Sequence, residues 1–320
     1  LLVKLNQQNP AVRQYLLDVV KYWVSEFDVD GIRLDAADVL DFGFMHELRM
    51  LANEIKPEFW LMGEVIHGDY SRWVNPDMLH SVTNYQLYKA LYSGHNEHNY
   101  FEIAHTVRYL LDKGNLPYHL YNFVDNHDVE RIYTRLLNKQ EFVPVHILMY
   151  TLPGIPSIYY GSEFGIEGRK EKYSDAVLRP AINLEDYPNA LDENGCTNII
   201  ARLGEIRQKN SVFSDGIYQE LRLTNRQYAF SRTNEITQAI VVVNNDEVDS
   251  SLDIPATGTY TELLSGEIQS VDGNLHVHLH ACSGQIWMKD YDETVTRKRE
   301  VKIPEIKQVA VKEETIKQVT

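Results

Sequence analysis

Short apolar runs alternate with amphipathic helical segments through the first two-thirds of the chain. Apolar residues recur at helical spacing over 12–27 and again over 44–55. Asn9 and Pro10 indicate the first helix start, because Asn caps a helix and Pro fits the first helical position. Further helices are predicted around 142–152 and near 197–209. Buried strands are predicted at "GIRLDAA", "FWLMGEV", "SVTNY" (81–85), "HLYNFVDN" (119–126) and "PSIYYG" (156–161).

This alternation predicts an α/β fold, with a parallel sheet covered by helices on both faces. We count about five βα units, whereas a closed (β/α)8 TIM barrel needs about eight. The fold prediction over residues 1–212 is therefore a partial (β/α)8 barrel.

The pattern changes near residue 213. Segments such as "QYAFSRT", "QAIVVVNN", "SLDIP" and "LHVHLHAC" alternate or run apolar, with Asn-Asn, Ser-Gly and Asp-Gly turns between some of them. They predict an all-β C-terminal sandwich over residues 213–289. Residues 290–320 are polar with mixed charge, and we interpret them as a tail or linker.

Composition narrows the range of partners. The 320 residues are 43% hydrophobic, which supports a packed core. Lys and Arg number 31 and Asp and Glu 46, so the formal net charge is −15. That charge repels phosphate backbones and anionic lipid and argues against nucleic acid or a membrane as a partner, but it does not oppose a neutral sugar.

Localisation rests on weaker features. Two cysteines, Cys196 and Cys282, provide no disulfide framework and fit a reducing compartment, so we predict a cytoplasmic protein. No apolar run reaches bilayer-spanning length. The chain begins "LLVKLNQQNP", without an initiator Met or a leader pattern, and we expect that a leader was removed or that upstream residues are missing.

Carboxylates follow three of the predicted strands. In α/β barrels, catalytic groups lie at the carboxyl ends of strands. The first strand ends in Asp35, with Arg33 two residues earlier on the same face, the second ends in Glu64, and the fourth ends near Asp128. A single Asp here is more often a turn or cap residue, and Arg33 could simply neutralise Asp35. Three such carboxylates at one rim are harder to explain as caps.

Three such carboxylates suit glycoside cleavage. A retaining mechanism needs one ionised carboxylate as nucleophile and one protonated carboxylic acid as proton donor. Arg33 would favour the charged form of Asp35, and the apolar run before Glu64 would favour its neutral form. Asp128 would stabilise the oxocarbenium-like charge, and His127 would donate a hydrogen bond to a sugar hydroxyl.

The segments "DGIRLDAAD", "GEV" and "FVDNHD", in that order, resemble three signature regions of the α-amylase family of glycoside hydrolases (family 13). "GIPSIYYGSE" is similar to the segment at the last barrel strand of that family. "LLVKLN" resembles the "MPKLN" region of the neopullulanase and cyclomaltodextrinase group, with Val3 in place of Pro. The resemblance runs from residue 1 to about 289.

The resemblance implies a role for individual residues. Asp35 matches the nucleophile, Glu64 the acid/base and Asp128 the transition-state stabiliser. The resemblance also matches Arg33 to the arginine that holds the nucleophile and His127 to a sugar-binding histidine. Asp38 matches an acceptor-side substrate-binding residue, and Asp175 and Arg179 match a donor-side sugar-binding pair.

The family's first signature, Asp-x-x-x-Asn-His, is absent, and so are its first three strands. The five units match the fourth to eighth, so we expect the chain to be the C-terminal portion of a longer enzyme. Five units alone would leave exposed apolar edges, and this segment by itself is expected to be poorly soluble or inactive. No cofactor or metal is expected, although calcium is possible in the full-length enzyme, which could also be a homodimer.

The leading hypothesis is a retaining α-glucan hydrolase that cleaves α-1,4 bonds of maltooligosaccharides, cyclodextrins or pullulan. One alternative is a transglycosylase of the same family. Another is a non-catalytic amylase-like binding or scaffold protein, which the intact carboxylates Asp35, Glu64 and Asp128 argue against.

A row of histidines stands apart from this chemistry. His276, His278 and His280 lie on one face of a predicted strand, with Cys282 in phase. Imidazoles at this spacing can hold zinc. A solvent-facing row on a sandwich strand is the simpler interpretation, and we predict no metal there.

Overall fold

The computed structural model describes residues 3–290. The tail predicted from 290 onward thus lies outside the described residues, apart from Asp290 itself. No helix in the described part of the chain is both long and apolar enough to cross a bilayer. The α-helices are α1 (Pro10–Phe27), α2 (Phe42–Ile55), α3 (Tyr85–Asn96), α4 (Tyr100–Leu111), α5 (Leu116–His119), α6 (Ile132–Arg135), α7 (Phe142–Thr151), α8 (Ala190–Glu193), α9 (Gly195–Lys209) and α10 (Val212–Asp215).

Five short strands run parallel between these helices. They are β1 (Gly31–Leu34), β2 (Trp60–Gly63), β3 (Ser81–Val82), β4 (Tyr121–Asn122) and β5 (Ile155–Pro156). β1, β2 and β3 form one sheet in that order, β4 pairs with β5, and a bridge between Thr83 and Tyr121 connects the two groups. This arrangement confirms the partial barrel that the alternating pattern predicted.

The last strand differs from its prediction over 156–161. β5 ends at Pro156, and the residues after it leave the sheet. The rings of Tyr159 and Tyr160 pack instead against the buried Arg131, whose guanidinium carbon lies 4.1 Å and 5.3 Å from the two ring centroids. The other predicted strands are also shorter than the segments predicted for them, and β3 and β4 contain two residues each.

Helix α1 has the predicted cap, and its apolar face is open, in line with the exposed apolar edges expected of an incomplete barrel. The Asn9 Oδ1 accepts a hydrogen bond from the Ala11 N–H (2.9 Å). Of the apolar residues on this helix, only Val20 is fully buried, while Trp23 and Phe27 are exposed. An apolar groove of about 500 Å³ runs between this helix and the edge strand β1. Among residues 3–290, no element covers this face.

Six antiparallel strands follow, as the alternating pattern predicted. They are β6 (Ile217–Leu223), β7 (Gln227–Thr233), β8 (Gln238–Asn244), β9 (Ser250–Glu262), β10 (Ile268–Leu279) and β11 (Ser283–Lys289). They form one sheet in the order β10-β9-β11-β8-β7-β6. The turn predicted at Asp272 and Gly273 is wrong, because both residues pair with Thr257 and Ala256 and the strand continues through them.

Helix α7 joins the two regions through a shared core. Its sequence "FVPVHILMYT" is apolar on all sides, and nine of its ten residues are buried. The helix contacts α3 and α9 on the barrel side, and β8 and β11 on the sheet side. A second core, between the strands themselves, contains Trp287, Tyr260 and Ile240. This packing fixes the helices that support the carboxyl ends of the parallel strands.

Candidate active site

The carboxyl end of β1 presents Arg33 and Asp35. The Arg33 Nη1 donates to the Asp35 Oδ1 at 2.9 Å, and its Nη2 lies 3.1 Å from the Glu64 Oε2. One planar guanidinium therefore holds the carboxylates of two neighbouring strands. The Asp35 side chain is 78% exposed and so remains open to a ligand. The next residue, Ala36, has a φ of 43° and turns the chain sharply away from the strand.

Glu64 lies at the end of β2 and is almost completely buried. Its Oε2 also accepts a hydrogen bond from the Ala36 N–H (3.3 Å), so the sharp turn after Asp35 binds this second carboxylate. The preceding Gly63 permits a close approach between neighbouring segments. A Cβ at this position would lie 2.5 Å from the Leu79 Cδ1 and 2.8 Å from the Ala37 Cβ. The glycine thus allows Glu64 to sit close to the first strand.

Tyr85 is a site residue that the sequence reasoning missed. Its hydroxyl donates to the Glu64 Oε1 (3.3 Å) and accepts from the Asn126 Nδ2 (3.1 Å). Burial, together with the nearby Glu64 and Asp128 carboxylates, raises the pKa of Tyr85 to about 12, so the hydroxyl stays protonated at neutral pH. The residue follows the third strand, and the strand-end rule applied to "SVTNY" would have found it.

The segment after β4 positions the third carboxylate. The Asn126 Oδ1 accepts from the backbone N–H groups of Asp128 (2.8 Å) and Val129 (3.2 Å). The His127 Nε2 lies 3.1 Å from the Asp128 Oδ2, and both side chains are about one-third exposed. Asn126 therefore links the backbone of this segment to Tyr85, and through it to Glu64.

Arg179 lies closer to Asp128 than to its predicted partner. Its Nη2 donates to the Asp128 Oδ1 at 2.8 Å and lies 3.5 Å from the Asp175 Oδ2, while its Nε donates to the carbonyl of His127 (3.1 Å). Lys170 also joins the group, with its Nζ 3.5 Å from the Asp175 Oδ1 and 2.6 Å from the Asp128 carbonyl oxygen. The predicted pair is thus part of a larger charged cluster around Asp128.

Two other carboxylates lie outside this arrangement. Asp125 is buried and accepts hydrogen bonds from the Ser162 hydroxyl (2.8 Å) and the Ile132 N–H (2.8 Å). Burial raises the pKa of Asp125 to about 6, despite these hydrogen bonds and the nearby Arg131. Asp38 is exposed on the short 3-10 helix Ala37–Val39. Within residues 3–290, it forms no ion pair with the other predicted site residues.

The contacts connect the three residues predicted to be catalytic in one continuous path, which reaches Asp128 through its backbone N–H. The path runs in the order Asp35, Arg33, Glu64, Tyr85, Asn126 and Asp128. It places an exposed carboxylate, a buried carboxyl and a third carboxylate on one rim of the parallel strands. Over the described residues, no group of three potential metal ligands lies at this rim. The arrangement suits acid/base and nucleophilic chemistry by carboxyl groups.

Two family profiles match the chain. Residues 1–210 match "Alpha amylase, catalytic domain", and residues 222–312 match "Alpha amylase, C-terminal all-beta domain". The first match covers more than half of the 320 residues.

Curated relatives agree with these profiles. The chain is 32% identical over 247 residues to the "Cyclomaltodextrinase" of Thermoanaerobacter pseudethanolicus, which covers 76% of this chain and 42% of that protein. It is 30% identical over 295 residues to "Neopullulanase 2" of Thermoactinomyces vulgaris, covering 88% and 49%. It is also 30% identical over 253 residues to the "Intracellular maltogenic amylase" of Bacillus subtilis, covering 77% and 42%. The chain thus spans less than half the length of these relatives.

Solved structures show the same fold. An α-amylase of Anoxybacillus superposes with a TM-score of 0.76 at 24% identity, over 90% of this chain and 65% of that one. A structure named "Cyclomaltodextrinase" superposes with a TM-score of 0.78 at 23% identity, over 90% and 50%. The profile matches, supported by the relatives and this fold, show that the chain belongs to the α-amylase family of glycoside hydrolases.

Proposed function

We propose that this chain carries the catalytic carboxylates of a retaining α-glucan hydrolase. The observation that supports this most directly is the continuous path of contacts that joins Asp35, Glu64 and Asp128 at the carboxyl ends of three parallel strands. Turn or cap residues have no reason to converge in this way. The proposed roles are those that the family resemblance assigned to the same three positions.

The reaction proceeds by double displacement in this proposal. Asp35 attacks the anomeric carbon while Glu64 donates a proton to the leaving glycosidic oxygen, and a glycosyl ester forms on Asp35. Glu64 then takes a proton from water, which attacks the ester and releases the sugar. The exposure of Asp35 suits a group that must reach a substrate, and Arg33 holds its carboxylate in place.

The third carboxylate acts on the sugar ring. Asp128 stabilises the positive charge that develops at the anomeric carbon, and His127 hydrogen-bonds a sugar hydroxyl. Arg179 orients Asp128 through a charged hydrogen bond of 2.8 Å, in addition to the donor-side role that we predicted for it with Asp175.

The proposed substrates are the α-1,4-glucosidic bonds of maltooligosaccharides, cyclodextrins or pullulan. The names of the relatives, which include a cyclomaltodextrinase and a neopullulanase, support this class. Transfer to a second sugar is the alternative outcome of the same glycosyl ester, and one relative is named a cyclomaltodextrin glucanotransferase. Product analysis on maltotriose separates the two, because transfer yields chains longer than the substrate.

Isosteric substitution tests the proposal in the natural polypeptide that contains these residues. Asp35→Asn, Glu64→Gln and Asp128→Asn should each lower kcat on maltotriose by at least about a thousandfold, because each removes a reacting or charge-stabilising group. Asp30→Asn is the matched control. Asp30 is exposed just before the amino end of β1 and pairs with Lys56, far from the rim.

Binding measurements distinguish the enzyme from a scaffold protein. The proposal predicts that Glu64→Gln keeps most of its affinity for maltotriose by calorimetry while its turnover collapses. A parent protein that binds maltotriose without cleaving it would support the non-catalytic alternative. Activity in Glu64→Gln equal to that of Asp30→Asn would refute the assigned roles.

A further inference from the structure

The outer face of the C-terminal sheet carries a row of histidines opposite Asp253, Ser251 and Asp249. His276 pairs across the ladder with Asp253, and His278 pairs with Ser251. His280 follows the end of β10 and contacts Asp249, which precedes β9. These side chains are exposed and lie outside the carboxylate site.

Three of these side chains converge on one point. The Asp249 Oδ2 lies 3.1 Å from the His280 Nδ1 and 3.5 Å from the His278 Nε2. All three ligand atoms lie within 4.8 Å of one another. Two ligands of one tetrahedral zinc ion, each about 2.0–2.2 Å from the metal, lie about 3.3–3.5 Å apart. The two separations from Asp249, 3.1 Å and 3.5 Å, lie close to that range.

The remaining polar atoms of two of these side chains are already engaged. The His278 Nδ1 lies 3.1 Å from the Ser251 Oγ, which leaves its Nε2 directed toward Asp249. The Asp249 Oδ1 accepts from the Ala281 N–H at 3.0 Å, which leaves its Oδ2 for the shared point. Metal-binding histidines and carboxylates are typically oriented by such outer contacts.

We propose that Asp249, His278 and His280 form a surface site for a divalent zinc ion, with water completing its coordination. Two imidazoles and one carboxylate are common zinc ligands. The bound ion would connect the residue before β9 to the end of β10. This proposal replaces the row of three histidines considered from the sequence, because His276 instead contacts Asp253. It is independent of the proposed glucan hydrolysis.

His276 provides a matched control on the same strand. It is as exposed as His280 and faces the same side, and it also contacts an aspartate, but it lies outside the group of three. If these histidines formed only charge pairs with the opposite strand, substitution of any one of the three would affect zinc binding equally. A zinc site would distinguish His276 from the other two.

Zinc titration by calorimetry of the natural polypeptide that contains these residues tests this site, with ZnCl2 as the only ligand. The expected result is one high-affinity zinc per chain. His278→Ala and His280→Ala should each raise the Kd at least about tenfold, and His276→Ala should change it less than about twofold. Asp249→Asn is a second ligand variant, and it should weaken binding in the same way.

A thermal unfolding readout separates site loss from misfolding. Zinc should raise the Tm of the parent chain and of His276→Ala, and should leave the Tm of His278→Ala unchanged. Two results would overturn the proposal. One is the absence of stoichiometric binding in the parent chain, and the other is equal weakening by all three histidine variants.

Discussion

Removal of the Tyr85 hydroxyl interrupts the path between the carboxylates with little change in packing. In Tyr85→Phe, the Glu64 Oε1 loses a donor and the Asn126 Nδ2 loses an acceptor. The ring itself packs edge-on against Phe123, at a centroid distance of 4.9 Å, and phenylalanine keeps that contact. The substitution therefore tests the positioning of Glu64 rather than the stability of the core.

The expected effect on catalysis is moderate. Glu64 becomes a carboxylate as it donates its proton, and a hydrogen bond to a charged group is worth about 1.5–3 kcal/mol. The 3.3 Å separation between Tyr85 and Glu64 exceeds the usual O–H···O range, so we take the lower end, about 1.5 kcal/mol. That free energy corresponds to a roughly tenfold decrease in kcat/KM.

The assay is kcat/KM on maltotriose in the natural polypeptide that contains these residues, with the Tm measured in parallel. Tyr88→Phe is the control, because Tyr88 lies on the same helix, one turn later, and its ring stacks on the same Phe123 at 5.1 Å. We expect the control to retain parental kcat/KM and both variants to retain the parental Tm. Equal kcat/KM values for Tyr85→Phe and Tyr88→Phe would refute the positioning role.

Three further predictions concern other parts of the molecule. Arg33→Lys keeps the charge but cannot span two carboxylates, so kcat/KM should fall at least about tenfold; a smaller loss would mean that charge alone suffices. Burial raises the pKa of Glu141 to about 8, so its contribution to stability is full below about pH 4.5 and is lost as the pH rises through 8. In urea titrations, the unfolding free energy of Glu141→Gln minus that of the parent should therefore increase by about 4 kcal/mol between pH 4.5 and pH 8. A difference between the two proteins that stays the same at both pH values would contradict this. The isolated 320-residue chain should self-associate through the open face of α1, and joint substitution of Trp23 and Phe27 by lysine should reduce its sedimentation coefficient; a monomeric parent chain would contradict this.

The main elements of the fold were predictable because each has a local cause. Asn9 caps α1 through its own side chain, and the apolar run of α7 is long enough to indicate a helix buried on all sides. The parallel order of β1 to β5 followed from the alternation of strands and helices. The length of β5 did not, because its end depends on how Tyr159 and Tyr160 pack on a distant arginine.

The site was predictable only in part, for a similar reason. Strand-end carboxylates are visible in sequence because each follows an apolar run. The contacts between them are not visible, because Tyr85 and Asn126 are 41 residues apart. Likewise, the preference of Arg179 for Asp128 over Asp175 depends on the conformation of a long loop. Residue types indicate which groups are present, whereas tertiary packing decides which groups touch.

The central claim is that Asp35 is the nucleophile and Glu64 is the acid/base. The most direct test uses Glu64→Gln in the natural polypeptide with α-maltosyl fluoride, whose leaving group departs without a proton donor. A glycosyl ester should then accumulate, because the base that activates water is missing. Peptide mass spectrometry is predicted to locate one maltosyl group on Asp35. A maltosyl group on any other residue, or reaction without a covalent intermediate, would contradict the account.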